Sequence, residues 1–316
     1  MPRHLEIKEQ SKLKLAEAVI STLAFFSLYN LPLSAKRVYE LLLGMRSTQD
    51  EVDRMLANLV LDSRIIREGN LFGLKIWDAA VYNANQLELT KKWQKIDRYF
   101  NWLAILPFVR NISVINSLAL GTADSDSDID FFVVTKPNRL YFVRSMIIVL
   151  FRLLGVYKTR QRIKDRFCFG FFVSQKNRDL YHLLIKPSDP YLVFWLAGMR
   201  PLLGAGEYQE FMAQNSWIKT YFPNFDPTAR QNTIRRPGIL IQVIKIALEI
   251  CLWAPSLIAE PILRRVHIRH TFRLAENKSV TSTTIAHADM LKLHGYDVRA
   301  EIAYRYEEAV NQFRNE

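Results

Sequence analysis

Hydrophobic residues recur along this chain with two periods, and the change from one to the other divides it. Over residues 12–75 the spacing is helical. Leu15, Val19, Leu23 and Phe26 mark one face of a first helix. Pro32 ends the linker that follows, and Ser34 is placed to cap a short second helix holding Val38, Leu41 and Leu42 inward. Thr48-Gln49-Asp50-Glu51 is a capping box. It opens a third helix with Val52, Met55, Leu56, Leu59 and Val60 as core positions. Residues 65–68 and 71–74 flank Gly69-Asn70, a good two-residue turn, and predict a small hairpin. Three helices and a hairpin make a winged-helix-like domain of residues 1–77. Residues 78–109 then hold a connecting helix, with Leu87, Trp93, Tyr99, Phe100 and Trp102 among charged positions and Pro107 closing it.

From residue 110 the pattern becomes that of strands. Ile112, Ser113, Val114 and Ile115 read as a buried strand. Asn116-Ser117 turns the chain, and residues 118–120 start a short helix. Backbone N–H groups at such a turn face an anion, and the Ser117 hydroxyl adds a donor. Gly121 lets the chain leave with a positive φ. Asp124-Ser125-Asp126-Ser127 is a polar turn, and residues 128–134 form a second strand. Residues two apart on a strand share a face, so Asp128 and Asp130 present two carboxylates side by side while Ile129 enters the core. Such a pair repels itself unless a cation sits between, and its hard oxygens suit magnesium. A solubilising acidic loop is the plain alternative. It does not explain why the last two acids are embedded in an apolar strand.

The string Asn116-Ser117-Leu118-Ala119-Leu120-Gly121, followed by Ser127-Asp128-Ile129-Asp130, resembles the signature of the polymerase-beta-like nucleotidyltransferase superfamily. That signature is Gly-Ser-x-Ala-x-Gly, a short polar loop, then Ser-Asp-x-Asp ahead of apolar residues, and the match covers about 20 residues. The order of the chain is also similar to bacterial proteins that set a winged-helix-like segment before such a domain. The resemblance implies an α+β chain, with a nucleotidyltransferase fold (a small mixed sheet flanked by helices) over residues 110–228 and a C-terminal helical region over 229–316. It implies that Asn116, Ser117, Gly121 and Ser127 bind the phosphates of a nucleoside triphosphate. Asp128 and Asp130 would be catalytic and hold magnesium or manganese. The metal would bridge the phosphates and stabilise the departing pyrophosphate while an acceptor hydroxyl attacks the α-phosphorus.

This chain departs from the pattern twice. Asn116 stands for the first Gly, though Asn tolerates the left-handed conformation better than most residues. The family's third carboxylate usually lies on the neighbouring strand, after a helix that here spans 139–154. That strand, 167–173, contains no acid; Asp165 lies at its mouth and Asp179 beyond its end, and neither fits the usual place. A catalytically degenerate nucleotide-binding or regulatory module is therefore the alternative to a transferase.

Composition changes the picture in three ways. The chain has 316 residues, is 49% hydrophobic and carries a net charge of +12, which favours an anionic partner. Residues 157–166 contribute five basic residues against Asp165, and Arg160, Arg162 and Lys164 in that run are candidate anion-binding residues beside a solvated-loop reading. The third helix, by contrast, is acidic through Asp50, Glu51, Asp53 and Asp62, which argues against DNA binding through it and for a scaffold role. Cys168 and Cys251 each sit in an apolar run and read as buried free thiols, and with a polar N-terminus they point to the cytoplasm. His182, His267, His270 and His294 form no ligand set.

Residues 239–263 are long and apolar. Gln242, Lys245 and Glu249 make one polar stripe, and Pro255, Glu260 and Pro261 interrupt the run. This reads as a buried or partner-facing helix. The basic cluster 264–269 keeps a membrane-surface contact through 239–270 open as the alternative. Residues 297–313 form an amphipathic helix through Val298, Ile302, Tyr306, Ala309 and Phe313, packed on the transferase domain or on a second copy in a homo-oligomer.

Overall fold

The computed structural model describes residues 2–185, 188–276, 284–293 and 298–314. The chain is an α+β protein. Helix α1 (Pro2–Ser27) buries Leu15, Val19, Leu23 and Phe26. Strand β1 (Leu33–Ser34) leads into α2 (Ala35–Glu40), where the Ser34 hydroxyl accepts the Arg37 N–H at 3.3 Å. Both halves of the capping box form at α3 (Gln49–Leu61): Glu51 N–H donates to Thr48 Oγ1, and Thr48 N–H to Glu51 Oε2 at 2.9 Å. Strands β2 (Ile66–Glu68) and β3 (Leu71–Gly73) pair antiparallel, with β1 on the far side of β3. Helix α4 (Ala79–Ala104) follows, capped by the Asp78 carboxylate.

The larger sheet starts with β4 (Val109–Val114), the short α5 (Asn116–Leu120) and β5 (Ile129–Thr135). Helix α6 (Leu140–Leu153) crosses to β6 (Phe167–Ser174), parallel to β5. Then come α7 (Pro190–Gly198), β7 (Arg200–Leu203), α8 (Ala205–Gln214) and α9 (Ile218–Tyr221). The chain continues through α10 (Ile239–Cys251), α11 (Trp253–Glu276), β8 (Ile285–His287), β9 (Met290–Lys292) and α12 (Arg299–Arg314). The strand order is β7-β4-β5-β6-β9-β8, with every neighbouring pair antiparallel except β5–β6. Strands β7, β8 and β9 carry no signal in the sequence, since three or four residues are too few to show alternation. Gly204, at the end of β7, has φ +82°, and a Cβ there would lie 1.9 Å from the Arg110 carbonyl oxygen.

Both faces of the sheet are covered. On β5, Ile129, Phe131 and Val133 join an apolar cluster with α4 and α6, while Phe132 and Val134 join another with α1, α3, α7, α8 and α12. The second cluster runs without a break from the N-terminal helices into the sheet. Phe25 of α1 stacks on Phe194 of α7 at a centroid separation of 4.0 Å. The segment ending near residue 77 and the sheet therefore share one core.

Helices α10 and α11 are held on the body by polar side chains turned inward. No residue of α10 is buried. Lys245 Nζ donates to the Val109 carbonyl at 2.8 Å, and burial lowers its pKa to about 8. Glu249 accepts a two-pronged bond from Arg110, at 2.8 and 3.0 Å, and a third from Phe108 N–H. On α11, Glu260 accepts the Tyr141 and Phe142 N–H groups, capping α6, which lacks a side-chain cap of its own. His267 lies between Arg144 and Ser145 at 2.7 and 2.8 Å; burial, then Arg144, lower its pKa to about 4 and keep it neutral. Of the polar stripe read from the sequence, Lys245 and Glu249 face the protein, while Gln242 is exposed. Ile239, Leu240, Val243, Ile246 and Ile250 face out, between 55% and 81% exposed. Among the described residues no single helix is long and apolar enough to cross a membrane; α10 and α11 reach that length and composition only as a pair bent by 69°.

This inversion predicts an unusual ranking of substitutions. Glu249→Ala, which leaves Arg110 and Phe108 N–H without their acceptor, should cost about 2 kcal/mol. Ile250→Ser, on the outer face, should stay within about 0.5 kcal/mol of wild type. Urea unfolding curves of the two variants check this; an equal or reversed ranking contradicts the orientation of α10.

Candidate metal and phosphate site

Strand β4 delivers the chain into Asn116, which has φ +57°. The Asn116 amide is fixed by its neighbours. An indole N–H can only donate, so Trp195 Nε1, at 2.7 Å, identifies the Asn116 oxygen, with the Tyr191 hydroxyl at 3.3 Å on the same atom. The Asn116 Nδ2 group therefore points the other way and donates to Asp130 Oδ2 at 2.8 Å. Both aromatic donors sit on α7, whose N-terminus is capped by Asp189, itself paired with Arg299 at 3.0 Å. The next residue, Ser117, is half-buried and its hydroxyl makes no hydrogen bond among the described residues. Gly121 closes α5 in the left-handed region, φ +85°.

The loop that follows is folded by Asp124. Its Oδ1 accepts the N–H groups of Asp126 and Ser127 and, at 2.6 Å, the Ser127 hydroxyl, which holds the Asp124 carboxyl below its ordinary range. The Ser127 hydroxyl is thus committed to the loop. Its carbonyl accepts Lys92 Nζ at 2.8 Å. Lys92 is wholly buried and pairs with Asp165 at 2.5 Å, and Lys95 Nζ donates to the Asp165 carbonyl. Asp165, the acid at the mouth of β6, is anchored to α4. Asp179 is exposed to neither metal nor phosphate chemistry here: it accepts the Tyr181 N–H and shapes a turn.

The two carboxylates come together with a third group that sequence reasoning passed over. One oxygen each of Asp128 and Asp130 and the sulfur of Cys168 all lie within 4.8 Å of one another. The register explains it: Asp130 is directly opposite Cys168 in the parallel β5–β6 pair, and a register shift follows between this pair and Phe132–Phe171. Cys168 alternates with the buried Phe167 and Phe169, so it faces the opposite side from them. That alternation was the available signal, and it places the thiol where the strand could have carried a third acid. Of the two cysteines, Cys168 is half-buried in this cluster and Cys251 is exposed, so neither is the inert buried thiol that the apolar runs suggest.

Charge compensation is built in. Lys158 Nζ lies 2.5 Å from Asp128 Oδ2. Burial opposes the Lys158 charge, but the negative groups Cys168 (when ionised) and Asp128 outweigh it and raise its pKa. Burial, then the Asp128 charge, push the Asp130 carboxyl up to about 6, although the Asn116 hydrogen bond works against this. Burial, then the Asp130 charge, raise the Cys168 thiol well above its ordinary value, so it is protonated at neutral pH. Lys158 is the member of the 157–166 basic run that reaches the carboxylates. Arg160, Arg162 and Lys164 are exposed, and their side chains make no ion pair or hydrogen bond among the described residues. His182 and His270 are also remote from any ligand set, and His294 lies outside the described residues.

The donor set is compatible with a divalent cation. Two carboxylates supply hard oxygens that suit magnesium or manganese, and the sulfur widens the choice toward a softer ion such as zinc. Comparison with protein-family models, with curated proteins and with solved structures gives no match for this chain.

The raised Asp130 has a consequence for stability. A carboxyl whose folded pKa lies above its unfolded value costs stability when it ionises, so stability falls as pH rises from the ordinary carboxylate range through about 6. Asp130→Asn keeps an acceptor for Asn116 and removes the charge. Its melting temperature should exceed that of wild type at pH 7.5, and the gap should close toward pH 4. A gap that is absent at pH 7.5, or constant with pH, contradicts the electrostatic reading.

Proposed function

We propose that this chain binds a nucleoside triphosphate together with a divalent cation and transfers its nucleoside monophosphate to an acceptor hydroxyl. The observation that carries this reading is the juxtaposition of Asp128 and Asp130 with the turn at Asn116–Ser117. The resemblance to the polymerase-beta-like nucleotidyltransferases rests on these same residues. In this reading Asp128 and Asp130 hold magnesium or manganese, which when bound neutralises phosphate charge. Ser117 offers its hydroxyl to the phosphates, Gly121 lets α5 end where the loop must begin, and Asn116 positions Asp130. Ser127 acts through the loop rather than by touching the nucleotide. Lys158, paired with Asp128, would supply a positive charge for the phosphates when a cation is held by the carboxylates.

A second reading is a nucleotide-binding module that has lost transfer, and Cys168 favours it. A protonated thiol opposite Asp130 cannot accept the acceptor's proton as a carboxylate would. The N-terminal segment fits a winged-helix-like scaffold in either reading. Its third helix presents Asp50, Glu51, Asp53 and Asp62 to solvent against Arg54, a poor match for DNA.

Thermal-shift titrations with ATP, GTP, CTP and UTP, each with magnesium or manganese, test the site. At least one nucleotide should raise the melting temperature only with metal, and Asp128→Asn/Asp130→Asn should lose the shift. No shift with any combination rejects the nucleotide site. Multiple-turnover pyrophosphate release then separates transfer from binding alone. Cys168→Asp should raise that release by about tenfold or more if the missing base limits it.

A further inference from the structure

Three guanidinium groups meet behind the candidate site with one carboxylate between them. Arg230 Nη2 lies 3.3 Å from Glu40 Oε2, and Arg37 Nη1 lies 3.6 Å from the same oxygen. Arg37 Nη1 is buried and makes no hydrogen bond. The Arg200 side chain has no hydrogen bond or ion pair among the described residues, although its backbone pairs with β4. Burial first, then mutual repulsion, lower Arg37 to about 9 and Arg200 to about 10. The buried Tyr208 hydroxyl, which feels the charges of Arg230 and Arg200, is also without a hydrogen-bond partner. Arg37 and Arg200 line a cavity of about 470 Å³ between α2, α4, the end of α5 and β7, walled by Leu89, Trp93 and Leu118. That volume lies within the range of small-molecule sites.

We infer that this cavity binds a phosphorylated small molecule, its dianionic phosphoryl group on Arg37 and Arg200 and its organic part against Trp93. The surplus of two positive charges matches a dianion, and guanidinium forks suit phosphoryl oxygens. The cavity draws its walls from the N-terminal segment, the connecting helix and the sheet, so a ligand there ties the three together. The cavity shares the end of α5, Gly121 included, with the candidate metal site, but neither Asp128 nor Asp130 lines it. Thermal shift and calorimetry with inorganic phosphate, glucose 6-phosphate and glucose test it. Glucose 6-phosphate should stabilise wild type more than phosphate does, and glucose should have no effect. Arg200→Gln should raise the melting temperature of the free protein, because it relieves repulsion, and abolish the shift. Asp128→Asn/Asp130→Asn should retain it. Absence of a shift in wild type, an undiminished shift in Arg200→Gln, or its loss in the aspartate variant overturns the proposal.

A separate observation concerns the outer face of α10 and α11. Val243, Ile246 and Ile250 are exposed along α10, and Trp253, Leu257, Ile258, Ile262 and Val266 are exposed along α11, which is bent from it by 69°. Arg265, Arg269 and Arg273 extend that face, and Arg236 precedes it, all exposed. The two acids of this stretch, Glu249 and Glu260, are turned into the body and bonded there. The outward surface is therefore apolar and cationic without an opposing charge. Two copies meeting on this face would bring their arginines together.

The geometry points to an anionic lipid surface as its partner, with these apolar side chains, Trp253 included, in the headgroup layer and the arginines on the phosphates. Flotation of the full chain with vesicles of phosphatidylcholine, alone or with about one-third phosphatidylglycerol, tests this. Binding should require the anionic lipid and weaken with salt. Ile246→Asp/Ile250→Asp should reduce it about tenfold with an unchanged melting temperature. Failure to bind anionic vesicles, or equal binding by the variant, overturns the proposal. So does sedimentation showing a stable dimer that this variant dissociates.

Discussion

Two carboxylates held side by side at the end of an apolar sheet have to be compensated, and the surrounding structure answers that demand group by group. Asp128 receives an ammonium from Lys158. Asp130 receives an amide N–H from Asn116 and lies against a protonated thiol. The Asn116 amide can serve Asp130 only because its oxygen is taken by Trp195 and Tyr191 on α7. Helix α7 is held in turn by Asp189 and, through it, by Arg299 near the C-terminus. The orientation of one carboxylate thus depends on aromatic donors on another helix and, behind them, on Arg299 near the far end of the chain, through donors and acceptors whose directions are unambiguous.

Shared packing gives this network a rigid base. The helices at the N-terminus and the sheet contribute to one apolar cluster, so α7 is clamped between α1, α12 and the sheet instead of bridging two loosely joined units. The loop at Asp124–Ser127 is fixed from the other side by buried Lys92, reaching out from α4.

Much of the order of elements was legible because it rests on local rules. The capping box at Thr48, the left-handed Gly121 and the alternation around Asp128 and Asp130 each act within a few residues, and each appears as read. What stayed hidden depends on registers between distant segments. Nothing near Cys168 in the chain says that it lies opposite Asp130, and nothing near Lys158 says that it reaches Asp128 ahead of Arg160 or Arg162. The orientation of α10 was hidden for another reason. Periodicity finds an amphipathic helix but not which face is inward; that was decided by acceptors for Arg110 and the α6 N-terminus, which Glu249 and Glu260 supply.

The Lys158–Asp128 pair changes what cation uptake means here. A divalent ion held by Asp128 would compete there with an ammonium that is already paired and that stays tethered to the chain. Such competition would couple the position of one lysine to the occupancy of the carboxylates, so that a positive charge is freed only where a stronger one is bound.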